Sequence, residues 1–355
     1  MAHIARPAIA LPPNAVSTDE LCDDIRRAHP DLPRIEAHLR IARATRVKTR
    51  YFTRPLSSPT VSGSAPVAER NRAAYDDSLR LAVDAGRDAL ANAGIEPADV
   101  DCVITSHTTS WAVPSLDISL LNALGLRPDV RRIPMATLGC AGGAQAIVHA
   151  QADIAAHPGS NVLIVVAECL STATYNHADT SRESMIYKAL FGDGSGAVVV
   201  ADAPRWDGPG VEIQDTFAYA LPQSVDRYRG RLSAAGLHFD STEAATRALS
   251  DCFPEIHNWL AGRPVDFAVV HPGGPRIISD AATGLGLDPD PVTGDLAHSW
   301  ASLAECGNLG GSAVLDVLAR TFDSPPAHDS EGLLIGFGPG FILAAAHGRW
   351  NDPRS

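Results

Sequence analysis

Along the chain, apolar positions alternate between helical and strand-like spacing. Leu79, Val83, Gly86, Leu90 and Ala93 recur at helical intervals and stop at Gly94. The run D-C-V-I-T-S (101–106) that follows is short and apolar, as a buried strand would be. The same succession returns later. Leu249, Cys252, Ile256 and Leu260 predict a helix, kinked or restarted by Pro254, and it leads into D-F-A-V-V-H (266–271). Asp240 and Glu243 read as the capping pair that starts this second helix.

The parallel extends beyond those strands. Asp101 precedes Cys140 of G-C-A-G-G (139–143) by 39 residues, and Asp266 precedes Asn308 of G-N-L-G-G (307–311) by 42. Each glycine turn opens a helical pattern and is followed by a strand, N-V-L-I-V-V-A (161–167) or G-L-L-I-G-F (332–337). Each copy closes with a further glycine turn and strand, F-G-D-G-S-G-A-V-V-V (191–200) against F-G-P-G-F-I-L-A-A-A (337–346). Four matched segments in one order predict a duplicated α/β unit. Copy one lies within about 75–205 and copy two within about 206–350, dividing the chain into halves 1–205 and 206–355. The first ~70 residues and the stretch from about 207 to 240 read as additions. Such units stack sheets against helices, and sites form beyond the strand ends. Duplication therefore draws Cys140, His271 and Asn308 towards one place.

Composition narrows the function. With 355 residues, 45% of them hydrophobic, the chain can build a large core. A net charge of −12 disfavours nucleic acid or an anionic membrane as the main partner. Six cysteines without a C-x-x-C pair exclude zinc knuckles and thioredoxin-like motifs, and no histidine or carboxylate spacing suggests a metal. The most apolar run, 161–170, is far short of the ~20 residues a membrane span needs. Residues 1–17 are broken by Pro7, Pro12 and Pro13 and have no signal-peptide core. A cytoplasmic globular enzyme is the expectation.

Cys140 follows a strand-like stretch (132–137) and precedes a helix, where the helix N-terminus and a neighbouring imidazolium would favour thiolate. A cysteine–histidine nucleophile is the chemistry this suggests. The other five cysteines read as small buried apolar residues. His271 ends a strand ahead of P-G-G-P (272–275), where copy one has Ser106. Asn308 offers a neutral amide donor for a developing oxyanion. The glycine series 192/194/196 and 336/338/340 precede strands rather than helices, so they are not dinucleotide loops.

Together L-G-C-A-G-G (138–143), A-L-F-G-D-G (189–194), H-P-G-G-P-R-I (271–277), G-N-L-G-G-S-A-V-L (307–315) and G-F-G-P-G (336–340) resemble the type III polyketide synthases, the chalcone synthase-like family. The match runs from about residue 5 to 347. The resemblance implies a thiolase-like layered αβαβα fold and a homodimer. It also implies acyl-CoA and malonyl-CoA as substrates, with no carrier protein and no other cofactor. By the same resemblance Cys140 is the acyl-carrying nucleophile, with His271 and Asn308 as its oxyanion partners. Phe191 and Phe239 match gatekeeper phenylalanines, and Thr109 and Leu170 fall at cavity positions. Val113 falls where a side chain crosses to the partner subunit, and Arg40, Arg43 and Arg50 fall in the CoA-phosphate-facing segment. Leu170, Ala173, Trp111 and Gly310–Gly311 depart from the usual family residues, so starter, chain length and cyclisation stay open.

Other readings compete. A single-condensation β-ketoacyl carrier-protein synthase shares the three residue types but needs a basic docking patch. A thiolase needs a second cysteine near the last glycine turn, and none follows Cys306. A hydroxymethylglutaryl-CoA synthase would use Glu168 as base. A non-catalytic partner subunit would be expected to lack the cysteine.

Overall fold

The computed structural model describes residues 1–353. Its strands are β1 (Ala2–Ile4), β2 (Ala8–Ala10), β3 (Asn14–Ser17), β4 (Thr49–Phe52), β5 (Cys102–His107), β6 (Arg131–Ala136) and β7 (Asn161–Glu168). They continue as β8 (Gly194–Ala201), β9 (Gly210–Ala220), β10 (Tyr228–Ser233), β11 (Gly236–Ser241), β12 (Phe267–Val270), β13 (Glu331–Gly338) and β14 (Ile342–Asn351).

Two trios of strands repeat one pattern. β5 runs parallel to β7, which pairs antiparallel with β8; β12 runs parallel to β13, which pairs antiparallel with β14. Only the first trio is extended by a further parallel strand, β6, at the sheet edge. β7 and β8 are buried along their whole length, which explains why they read as continuous apolar runs rather than alternating ones. Each trio's crossover helix starts at a glycine turn: Gly142–Ala156 in the first case, Ala313–Asp323 in the second.

These two helices form the middle layer. Ile147 and Ile154 from one and Val314, Val317 and Leu318 from the other share a core with inward side chains of both trios. Outside the first trio lies the long helix Val67–Ala93 with Leu116–Leu124, and outside the second lie Phe253–Leu260, Pro275–Leu285 and Ala297–Cys306. Helix, sheet, helix, sheet, helix is the expected αβαβα layering.

Two expectations need correction. Residues 207–240 are not simply an addition, because β9 pairs with both β14 and β1. β1 also pairs with β8, so it joins the two trios into one ten-stranded sheet. Asp240 caps no helix; it lies in β11, where its carboxylate accepts from Arg231 Nε across the hairpin at 2.8 Å. Cross-strand pairing overrides the local capping signal there. Pro254 restarts the helix, which begins at Phe253 with the proline in its first turn, where no N–H is needed.

Candidate active site

Glycines bring the site together. A side chain on Gly143 would place its Cβ 2.3 Å from Gly311 O, so the two crossover helices can start against each other only because both turns are bare. This contact sets Cys140, in the single 3-10 turn before the first helix, beside Asn308, in the turn before the second. Asn308 Nδ2 lies 3.6 Å from Cys140 Sγ. The amide's orientation is held from behind: Gly310 N–H donates to Asn308 Oδ1 at 2.9 Å, and Gly310 can turn there because it sits at φ +64°. The NH2 group is the nearer amide end to the sulfur, with Oδ1 at 3.8 Å.

His271 follows β12, and its backbone N–H donates to Ile335 O at 2.9 Å. Its ring is buried, and neither ring nitrogen has a hydrogen-bond partner. Gly273 makes room for it, since a Cβ there would lie 3.3 Å from the imidazole. Cys140, His271 and Asn308 line one cavity of about 360 Å³, together with the exposed Arg276 and with Asp280. A buried donor ring and a buried amide, both unspent, can stabilise an oxygen that gains negative charge between them.

The expected thiolate meets a stronger competing effect. Burial pushes the Cys140 thiol up to about 12, with the Asn308 contact pulling it back and Glu168 adding to the rise. Burial likewise pushes His271 down to about 3. Taken singly, each group is held neutral, because a charge on either would lose its water.

Phe191 and Phe239 meet at 5.4 Å between ring centroids, edge to face. Sequence reasoning missed their two partners. Tyr187 stacks on Phe191 at 5.2 Å and Tyr228 on Phe239 at 5.6 Å, closing a four-ring box beside Cys140. No motif marked either tyrosine. A compartment of only about 10 Å³ remains between this box, Leu170 and Cys140. Glu168 forms another wall; burial raises its carboxyl to about 8, and Thr108 N–H donates to its Oε2 at 3.1 Å. The raised value keeps much of this carboxyl protonated at neutral pH, so only its ionised fraction opposes negative charge at the cysteine.

The remaining expected residues are placed less uniformly. Thr109 is buried behind the wall, its hydroxyl accepting from Cys169 N–H at 3.0 Å. Val113 is 81% exposed and Trp111 75%, on the loop after β5. Arg40 is exposed on the helix Ile35–Ala44 and lines none of the cavities described here. Arg50 does not face a ligand: it is wholly buried and donates to Thr18 Oγ1 at 2.6 Å and Ser17 O at 3.3 Å. A groove of about 900 Å³ near the cavity is lined instead by Arg43, Arg46 and Lys48, with Arg46 lying 4.9 Å over the Trp300 ring.

Comparison with known proteins bears on this arrangement. Residues 2–204 match the model of the chalcone and stilbene synthase N-terminal domain. The chain is 33% identical to a 1,3,6,8-tetrahydroxynaphthalene synthase of Streptomyces griseus, over 99% of this chain and 93% of that protein. It is 30% identical to a phloroglucinol synthase of Pseudomonas fluorescens, over 99% of each chain. The crystal structure of the tetrahydroxynaphthalene synthase of Streptomyces coelicolor, a bacterial type III polyketide synthase, superposes with a TM-score of 0.91 at 32% identity, over 98% of this chain and 99% of that one. Germicidin synthase from the same organism gives 0.90 at 29%, with the same coverage. The chain therefore belongs to the chalcone and stilbene synthase family, with the thiolase-like fold, and is a type III polyketide synthase.

Proposed function

We propose that Cys140 carries the growing acyl chain and that His271 and Asn308 are the two donors that hold each oxyanion. The observation that carries this is their convergence on one cavity, with the Asn308 amide turned towards the sulfur by Gly310. In the first step Cys140 Sγ attacks the carbonyl of an acyl-CoA starter and its proton passes to neutral His271. The tetrahedral oxygen is held by Asn308 and the imidazolium. Collapse breaks the bond to the CoA sulfur, and the CoA leaves with a proton.

Malonyl-CoA then enters. Its carboxylate departs as carbon dioxide, and the electrons of the broken carbon–carbon bond form an enolate whose oxygen occupies the same donor pair. The enolate carbon attacks the Cys140 thioester, the carbon–sulfur bond breaks, and a β-ketoacyl-CoA two carbons longer results. Repetition and cyclisation complete the polyketide. Likeness to the naphthalene and phloroglucinol synthases supports a polyhydroxylated aromatic product. Only CoA thioesters and the chain's own side chains take part.

The protein acts as a homodimer in this reading. The unpaired edge of β6 and the exposed Trp111 and Val113 on the neighbouring loop support that face as the contact. The halves 1–205 and 206–355 are read as the two duplicated units, in keeping with their matched strand trios. No helix among the described residues is long and apolar enough to cross a membrane. Six free thiols fit a reducing, cytoplasmic setting.

The test uses purified protein, malonyl-CoA and a panel of acyl-CoA starters from acetyl to long-chain and aromatic, without carrier protein. Mass spectrometry should find pyrones, resorcinols or polyhydroxylated aromatics that disappear in Cys140→Ala. Turnover only of carrier-bound substrates would refute the proposal.

A further inference from the structure

The aromatic box is built from two separate elements. Tyr187 lies on the helix Arg182–Leu190, and Phe191 follows directly after it. Tyr228 and Phe239 lie on the hairpin β10–β11. A two-stranded hairpin is marginal on its own, and this one pairs with no third strand among the described residues. One main-chain bond, from Gly340 N–H to Tyr228 O at 3.0 Å, ties its first strand to the loop before β14, and side-chain anchors set where its second strand and turn sit. At its turn, Arg70 Nη1 and Asn176 Nδ2 both donate to Ala235 O, at 2.5 and 2.8 Å.

A third anchor lies one residue from Phe239. His238 Nδ1 is 3.0 Å from Asp179 Oδ2, and its Nε2 is 2.8 Å from Ser233 Oγ. Because Ala235 N–H already donates to Ser233 Oγ at 3.0 Å, the serine proton is free to reach Nε2. A neutral ring protonated on Nδ1 satisfies every one of these contacts. Asp179 is also tied to the other half of the box. Its carbonyl accepts from Lys188 Nζ at 2.5 Å and Ser184 Oγ at 3.1 Å, both on the helix that bears Tyr187. Ser181 N–H occupies Oδ1 at 3.0 Å, leaving Oδ2 for His238. One residue thus grips the helix through its main chain and the hairpin through its carboxylate.

That grip bears on what Cys140 can carry. The larger cavity is lined by the exposed Arg276 and its ion-pair partner Asp280, and in this reading it admits the incoming thioester. An acyl group on the sulfur would then extend towards the small compartment lined by Phe191, Tyr228 and Phe239. Resting on Cys140 as the acyl carrier, we propose that the Asp179–His238 contact is a positioning and specificity-determining pair that limits the size of the bound acyl group. It does so by fixing the hairpin half of the box against the helix half. Without it, the hairpin rides outward and larger acyl groups fit.

The experiment measures kcat/KM for hexanoyl-CoA and acetyl-CoA as starters in wild type, Asp179→Ala, His238→Ala and the double variant. A hydrogen bond of this kind corresponds to about fivefold in an equilibrium, so the hexanoyl-to-acetyl ratio should rise about fivefold in each single variant. The double variant should rise no further, and Asp179→Asn, which keeps an acceptor oxygen for His238, should stay near wild type. Should His238→Ala fail to fold, His238→Phe preserves ring volume without either nitrogen and carries the same expectation. A ratio unchanged within about twofold in both single variants overturns the proposal. So do effects that multiply in the double variant, or a fall in Tm and in both kcat/KM values that leaves their ratio in place. Those results would leave Cys140-dependent synthesis by the wild type standing; absence of that synthesis would overturn both readings together.

Discussion

Asn308→Ala separates the proposed oxyanion role from simple packing. Two losses are built into that substitution. The first is the Nδ2 donor that faces Cys140 Sγ at 3.6 Å. Removing one preorganised donor of this type costs about 2.7–4 kcal/mol of barrier, or roughly 10²–10³ in rate. The second is the acceptor for Gly310 N–H, held at 2.9 Å, in a buried turn. An orphaned buried N–H costs about 1–3 kcal/mol of stability. With an unfolding entropy of about 2.1 cal/mol/K per residue, 355 residues give roughly 0.75 kcal/mol/K, so Tm should fall by only about 1–4 °C. A folded variant with a small Tm loss and a large rate loss is thus expected. The assay is carbon dioxide release from malonyl-CoA without a starter, which isolates enolate formation from condensation. Decarboxylation within about tenfold of wild type would refute the donor assignment, because one lost donor should cost at least ten times more.

Cys140→Ala should remove condensation while malonyl-CoA decarboxylation persists, since the sulfur takes no part in forming the enolate; loss of both would show that it does. Gly143→Ala drives a Cβ to 2.3 Å from Gly311 O and 2.7 Å from Val314 Cγ1. Overpacking of this kind costs about 1–3 kcal/mol, and by parting the two turns it should lower condensation by at least about tenfold. Wild-type Tm and rate in that variant would contradict the close approach. Burial lowers the Lys188 ammonium from 10.5 to about 8, with Asp179 and Asp24 opposing the fall. The unfolded chain then binds more protons between those values, so stability should rise with pH from about 8 to 10.5, by up to roughly 3 kcal/mol. Denaturant titrations at pH 7 and pH 10 should show this gain in wild type and not in Lys188→Met; equal gains in both would refute it.

What could be read along the chain was whatever repeats or sits in a local motif. The two helix–strand successions, their glycine turns and the trio Cys140, His271 and Asn308 were legible because duplication writes the same apolar pattern twice. Gly94 marked the end of its helix correctly, at φ +62°. The start of that helix at Val67 was not apparent, because its first turns carry few apolar residues. Tyr187 and Tyr228 were invisible as box members for a different reason. Each stacks on a ring of its own element, Tyr187 on Phe191 four residues on and Tyr228 on Phe239 across the hairpin, but nothing in the residues around them encodes that the two pairs then meet. Arg50 illustrates the converse: by resemblance it falls in a segment that faces CoA phosphates, yet the fold spends it on Ser17 O and Thr18 Oγ1. For the Cys140 thiol, position beside a helix start was legible and the burial that opposes a thiolate was not.

The strand Ala2–Ile4 has a consequence for how the molecule is made. Ile4 is paired with Val200 on one side and Val211 on the other. At ribosomal speeds of about 5–20 residues per second, roughly 10–40 seconds separate its synthesis from that of its neighbours. During that interval the first trio can assemble, but the strand that welds it to the second has nowhere to dock on its far side. Closure of the sheet is therefore a late event that waits for β9, and a strand made well before both trios is among the last elements to be held on both sides.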